Sequence, residues 1–255
     1  MDKVSLRSLP GGVLGAIGLV VAVELFVTRH ELDFTSPESL SWRSSRSAAG
    51  KTADCDILCL GSSMVQQGLF PRVIEHRTGK RAYNLAVVGG HAPCHYYLLK
   101  RSLDAGARPS AVFVDFHPFF ITGSHKYLPD HWPNLLGPLD CLEMAWNARD
   151  PIFFAKTLLT RFVPTLNDRH QIRGRILAAL LGEKSPARSH LKAFKRNLAR
   201  NRGAFMGVRN PGYAGDISAR HKEELLSDHV DCDPLQRLYI EKLLSLAAAH
   251  RVTVY

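Results

Sequence analysis

Residues 54–68, DCDILCLGSSMVQQG, constrain this chain more than any other stretch. A short apolar run with β-branched content, residues 55–60, breaks at Gly61 into Ser62 and Ser63, and a helix-like stretch follows. A buried strand that ends in a glycine turn projects the next side chain at the carboxyl edge of a sheet, where open α/β folds hold their ligands. Ser63 is therefore the candidate nucleophile. Ser62 and Ser63 also suit the plainer task of capping the next helix, because serine is a favoured cap residue.

The pattern then repeats. A helix-like stretch over 70–77 stops at Gly79, and a second strand over 81–88 breaks at Gly89 and Gly90. A helix over 94–105 stops at Gly106 and leads to a third strand over 111–115. Strands and helices alternating at this spacing predict an α/β fold with a parallel sheet, three of whose strand ends meet on one edge.

At these residues the sequence resembles the SGNH/GDSL hydrolase superfamily, and more closely its membrane-anchored bacterial members. Gly61-Ser62-Ser63 resembles the first motif, Gly-Asp-Ser, with Ser in place of Asp, and Asn84-Leu85-Ala86-Val87-Val88-Gly89 resembles the second. The resemblance implies a three-layer, flavodoxin-like parallel sheet with Ser63 as nucleophile. It places the N–H groups of Ser63 and Gly89 in an oxyanion hole, with Asn84 and Gly90 as substrate contacts. The third motif, Gly-x-Asn-Asp, is replaced by Asp115-Phe116-His117-Pro118, which puts His117 at the family's oxyanion asparagine. The fourth, Asp-x-x-His, is absent. A helix begun by Asp233 and Pro234 is followed by residues 251–255 opening a further strand, and the expectation is a chain truncated at its carboxyl end.

A serine hydroxyl needs a base to take its proton, and its tetrahedral product needs fixed N–H donors. The internal substitute for the missing base is Asp115 with His117, two apart at a strand end and so pointing the same way. Against that triad, residues on one strand do not readily bond in line, and Pro118 restrains His117. The leading expectation is a serine esterase or O-acyltransferase acting on an ester of a carbohydrate or cell-envelope component. The alternative from another class is a catalytically inactive SGNH-like domain that binds glycan or envelope partners. A flavodoxin-like nucleotide binder is disfavoured, since no Gly-rich phosphate fingerprint follows the first strand. No cofactor and no metal are expected.

At 255 residues, with hydrophobic residues at 45% and charged residues at 22%, the chain is an ordinary globular length and composition with an attachment. Lys3 and Arg7 precede an apolar segment over 9–28 that reads as a single-pass signal anchor after a cytoplasmic tail of residues 1–8, with the domain extracytoplasmic. Pro10, four glycines and Glu24 weaken that reading, and the alternatives are a cleaved signal peptide or a buried helix. Residues 29–51 are Ser-rich without apolar period and read as a flexible tether, with Trp42 against the membrane or the domain. The α/β domain then occupies 52–255 and contains an insertion over 118–232.

The net charge of +10 sits in that insertion, because the stretch from Lys156 to Lys222 holds fifteen Lys and Arg against three acids. Its opening residues, with His125, His131, Trp132 and several prolines, suit an irregular loop folded over the sheet edge as a lid. Helices are expected over 151–162, 173–181 and 191–202, the last basic and amphipathic. The basic surface suits an acidic polymer, anionic lipid head groups or plain solvation; nucleic acid is not expected, for want of interleaved aromatics. The five cysteines are scattered without CxxC or zinc spacing, and Cys55 and Cys59 fall on one strand face as small core residues.

Overall fold

The computed structural model describes residues 11–30, 34–126, 131–182, 187–207 and 231–255. Four short apolar runs form one parallel sheet in the order β2-β1-β3-β4: β1 is Ile57–Leu60, β2 Ala82–Asn84, β3 Ala111–Val114 and β4 Thr253–Val254. The chain is thus mixed α/β, mostly helical around a small parallel sheet. Side chains alternate across a strand. Leu58 and Leu60 accordingly enter the larger core cluster, while Ile57 and Cys59 enter a smaller one with Val65, Ala82 and Ala86. Cys55 lies before β1 and packs in the larger cluster, so it does not share a face with Cys59 as the sequence reading had it.

Two short helices, α3 (Ser63–Gly68) and α4 (Pro71–Thr78), link β1 to β2, and α4 ends at Gly79 in the left-handed conformation. The second strand is shorter than its apolar run predicts. Past Asn84 the chain leaves the ladder but still follows β1, with Leu85 N–H bonded to the Cys59 carbonyl at 2.7 Å and Val87 N–H to that of Gly61 at 3.0 Å. Helix α5 (Ala92–Asp104) returns the chain to β3 and packs most extensively on α13 (Pro234–Ala249), the helix capped by Asp233 as its sequence predicts. Between them Tyr97 and Tyr239 share a buried hydroxyl pair at 2.7 Å, and burial with their mutual contact pushes the Tyr97 phenol up.

Residues 37–49 form helix α2, in place of the expected tether. Serine is a poor helix interior residue, but here its smallness and its hydroxyl serve close packing. Ser41 accepts from Gln66 Nε2 at 2.7 Å, and Ser36 caps the helix by accepting from Ser39 N–H at 3.1 Å. Trp42 is fully buried, and its indole donates to the Val88 carbonyl at 2.8 Å. Burying a tryptophan removes some 200 Å² from water, worth about 5 kcal/mol and the largest single contribution a side chain of this segment makes to holding it on the domain.

Helix α1, Gly11–Arg29, contains an 18-residue window of mean hydropathy 1.9 that is almost wholly exposed, long and apolar enough to cross a membrane. Residues 1–10 lie outside the described residues, as does 208–230 of the insertion. The described insertion is helical: α6 (Pro118–Ile121), α7 (Trp132–Leu135), α8 (Pro138–Asn147), α9 (Pro151–Phe162), α10 (Pro164–Asn167), α11 (Arg169–Leu180) and α12 (Ala187–Arg200). The later part of its opening, residues 131–136, is buried core in place of a lid. Trp132 is fully buried against Trp42, its indole donates to the His125 carbonyl at 2.9 Å, and His125 meets Asp150 at 3.1 Å. After α12 the chain comes back to the free edge of β2, where Arg202 O accepts from Asn84 N–H at 2.9 Å and covers an otherwise open strand.

Candidate active site

Three strand ends converge as the alternation of elements requires. After β1, Gly61 adopts φ +156°, and a Cβ there would lie 2.5 Å from Val65 Cγ2 and 3.1 Å from Asp115 Cβ. After β2, Gly90 packs so closely that a Cβ would sit 2.5 Å from the Gly61 carbonyl oxygen and 2.9 Å from His95 Nε2. Gly90 is thus a spacer between two turns; nothing larger than hydrogen fits. After β3 comes Asp115.

The two serines divide their tasks. Ser62 is buried, caps α3 by accepting from Met64 N–H at 3.2 Å, and donates its hydroxyl to Asp115 Oδ2 at 2.7 Å. This bond ties the β1 turn to the β3 end. Ser63 is half-exposed, and among the described residues its hydroxyl makes no hydrogen bond. The backbone N–H groups of Ser63 and Gly89 likewise have no acceptor among the described residues. Gly89 is buried with φ +67°, a conformation that turns its amide out of the strand direction.

Asp115 and His117 do not form a pair. The Asp115 carboxylate is committed to Ser62, and His117 Nδ1 accepts from Phe119 N–H at 3.3 Å as the cap of α6. The physical reason is the one that Pro118 supplies: proline at the first position of a helix leaves the preceding residue extended, with its side chain over the first free N–H groups. Asn84 is not a substrate contact either. It is fully buried, its amide donates to the carbonyls of Val65 and Leu69, both at 2.8 Å, and its oxygen accepts from Ala86 N–H at 2.9 Å. Its role is to hold α3 against the second turn.

The sequence reading passed over His91 and His95, which stand four apart and so on one face of the α5 amino end. His95 is wholly buried beneath the Gly61 turn, and burial pushes it down to about 3, with the neighbouring His91 adding to the effect. His91 is pushed down to about 4, again by burial, and its Nδ1 lies 3.2 Å from the Gln236 amide, which also donates to the Gly123 carbonyl at 3.0 Å. Both imidazoles are neutral at pH 7. The signal was available as His-x-x-x-His directly after the glycine pair. Among the described residues no three His, Cys, Asp or Glu side chains gather as a metal site requires.

The chain matches no protein-family model, no curated protein and no solved structure.

Proposed function

We propose that this is a membrane-anchored serine esterase or O-acyltransferase of the SGNH type, with Ser63 as nucleophile and an ester of a carbohydrate or cell-envelope component as substrate. The observation that carries the reading is the division between the two serines. Ser62 is locked by Asp115, while the Ser63 hydroxyl next to it, and the N–H groups of Ser63 and Gly89, are uncommitted at the carboxyl edge of a parallel sheet. On this reading the sheet with a core cluster on either side of β1 is the middle of a three-layer SGNH arrangement. Helix α1 is the anchor, with Lys3 and Arg7 cytoplasmic and the α/β domain extracytoplasmic.

The second reading, a catalytically inactive SGNH-like domain that binds glycan or envelope partners, draws on the commitments of Asp115 and His117. Neither hydrogen-bonds the Ser63 hydroxyl, and no histidine does so among the described residues.

A fluorophosphonate probe on the full-length protein, with the modified serine located by peptide mass spectrometry, separates the two. The esterase reading expects the label on Ser63, lost in Ser63→Ala and retained in Ser62→Ala. Folded protein that takes no label, or takes it elsewhere, leaves the binding reading.

A further inference from the structure

The insertion exposes apolar side chains at helical spacing. On α8 these are Leu139, Leu142 and Trp146; on α9, Ile152, Leu159 and Phe162; on α11, Ile176, Leu177 and Leu180. Positions three, four and seven apart share a helix face, so α8 and α9 each carry a stripe, and these two helices pack side by side. Trp146 is 83% exposed and Ile152 76%, far from the usual fate of such residues in a water-facing surface. Between the helices lies a groove of about 570 Å³ whose lining is apolar, from Leu142, Ala145, Trp146, Pro151 and Phe154, except at the connecting turn, where Arg149 and Asp150 line it.

We infer that this surface lies in the membrane interface, in the same leaflet that α1 enters, and that its partner is the lipid bilayer itself. Three observations converge. The first is position: Glu24 of α1 accepts from Thr165 N–H at 3.1 Å and from the Thr165 hydroxyl, so α10 touches α1 five residues before its end at Arg29. At 1.5 Å per residue that contact lies about 7.5 Å below the end of the span, within the head-group boundary. Phe162, the last residue of the α9 stripe, stands just before α10, so the stripe starts beside the span. The second is charge. Over residues 151–182 the only acid is Asp168, buried and paired with Arg43, against Lys156, Arg161, Arg169, Arg173 and Arg175. The acids of the α8 side, Asp140, Glu143 and Asp150, are each paired with a lysine: Lys100, Lys242 and Lys126 respectively. Lys156, Arg169 and Arg173 are exposed, whereas Arg161 and Arg175 are half-buried and donate to the carbonyls of Pro133, Leu136 and Thr35; an apolar face flanked by exposed cations is what anionic leaflets retain. The third is chemistry, since a carboxylate in an apolar span is costly without donors, and α10 supplies two.

The inference rests on α1 as a span, not on the chemistry at Ser63, so it stands or falls apart from the esterase reading. The chain has three tryptophans, and Trp42 and Trp132 are fully buried. Trp146 is therefore a built-in depth probe. The full chain is reconstituted into vesicles of phosphatidylcholine with phosphatidylglycerol, containing lipids brominated near the glycerol end of the acyl chains. We expect bromolipid to quench the tryptophan emission by about a third, the share of one indole in three, with the quenching abolished in Trp146→Phe. Aqueous acrylamide should then quench Trp146 weakly. Quenching by acrylamide but not by bromolipid would mean a water-facing surface and overturn the inference. Protection from both quenchers would mean a protein covering, whether a second copy or a membrane partner, and would overturn it equally. Ile152→Glu with Phe162→Glu, both at exposed positions, should leave the fold intact and restore acrylamide access to Trp146; unchanged protection would count against the lipid.

Discussion

The hydroxyl of Ser62 donates to Asp115 Oδ2 at 2.7 Å, joining the turn after β1 to the end of β3. One serine of the pair is thereby a structural clamp, which leaves its neighbour Ser63 at the sheet edge with nothing to hold. A hydrogen bond to a charged acceptor is worth about 1.5–3 kcal/mol. Asp115→Ala should cost stability on that order, since it strands a buried hydroxyl, and thermal denaturation in detergent measures it. Asp115→Asn keeps an acceptor and should recover at least half. Equal losses in the two variants would mean that the clamp contributes little.

Gly90→Ala places a methyl 2.5 Å from a backbone carbonyl oxygen and beside His95. Neither neighbour is the free end of a flexible chain, so the turns must part. Overpacking of this kind costs about 1–3 kcal/mol. The urea midpoint should fall accordingly, and fluorophosphonate labelling of Ser63, where it occurs, should fall with it. A midpoint unchanged from the parent chain would contradict the close approach of the two turns.

His91 and His95 have folded pKa values lowered by burial from 6.5 to about 4 and about 3. The unfolded chain therefore binds more protons than the folded one between pH 6.5 and those values, and stability rises with pH across that window. The contribution is complete above pH 6.5 and is lost as pH falls towards 3. His95→Leu should flatten the dependence of the melting temperature between pH 7 and 4.5. Asp150, held below its ordinary 3.8 chiefly by the Phe153 N–H and further by His125, loses its contribution only at lower pH and does not confuse the comparison. An equally steep profile in the variant would rule out His95 as a source of acid sensitivity.

Trp42 ties α2 to the Val88 carbonyl and packs edge-on against Trp132. Trp42→Ala should cost about 3–5 kcal/mol, a core-sized loss from a position in a Ser-rich stretch. Limited proteolysis gives a second reading: cleavage within residues 37–49 should be slow in the parent chain and fast in the variant. Rapid cleavage in both would return this segment to the status of a tether.

The elements that were legible are those whose pattern is local. The apolar runs of β1 and β3, the stop at Gly79, the proline-led start of α9 and the Asp233 cap all appear where chain order alone predicts them. The candidate site was half legible. Gly61, Ser63, Gly89 and Asp115 do gather at strand ends, but which serine is clamped depends on the register between β1 and β3, far apart in sequence, whereas the capping of α6 by His117 is local and follows from Pro118 beside it. The Ser-rich segment misled for a related reason: composition reports a residue's average behaviour, and Ser41 with Trp42 escapes that average through Gln66 and Val88, 25 and 46 residues away.

Sequence by itself determined an α/β chain with a parallel sheet, an apolar amino-terminal helix long enough to span a membrane and a basic helical insertion, because hydrophobic period, glycine stops and charge are properties of neighbours along the chain. Tertiary structure alone decided that α2 is core, that Ser62 belongs to Asp115, that Asn84 faces inward and that α10 meets Glu24. Each of these is a donor finding its acceptor, or a side chain its cavity, across a sequence distance at which no periodicity survives.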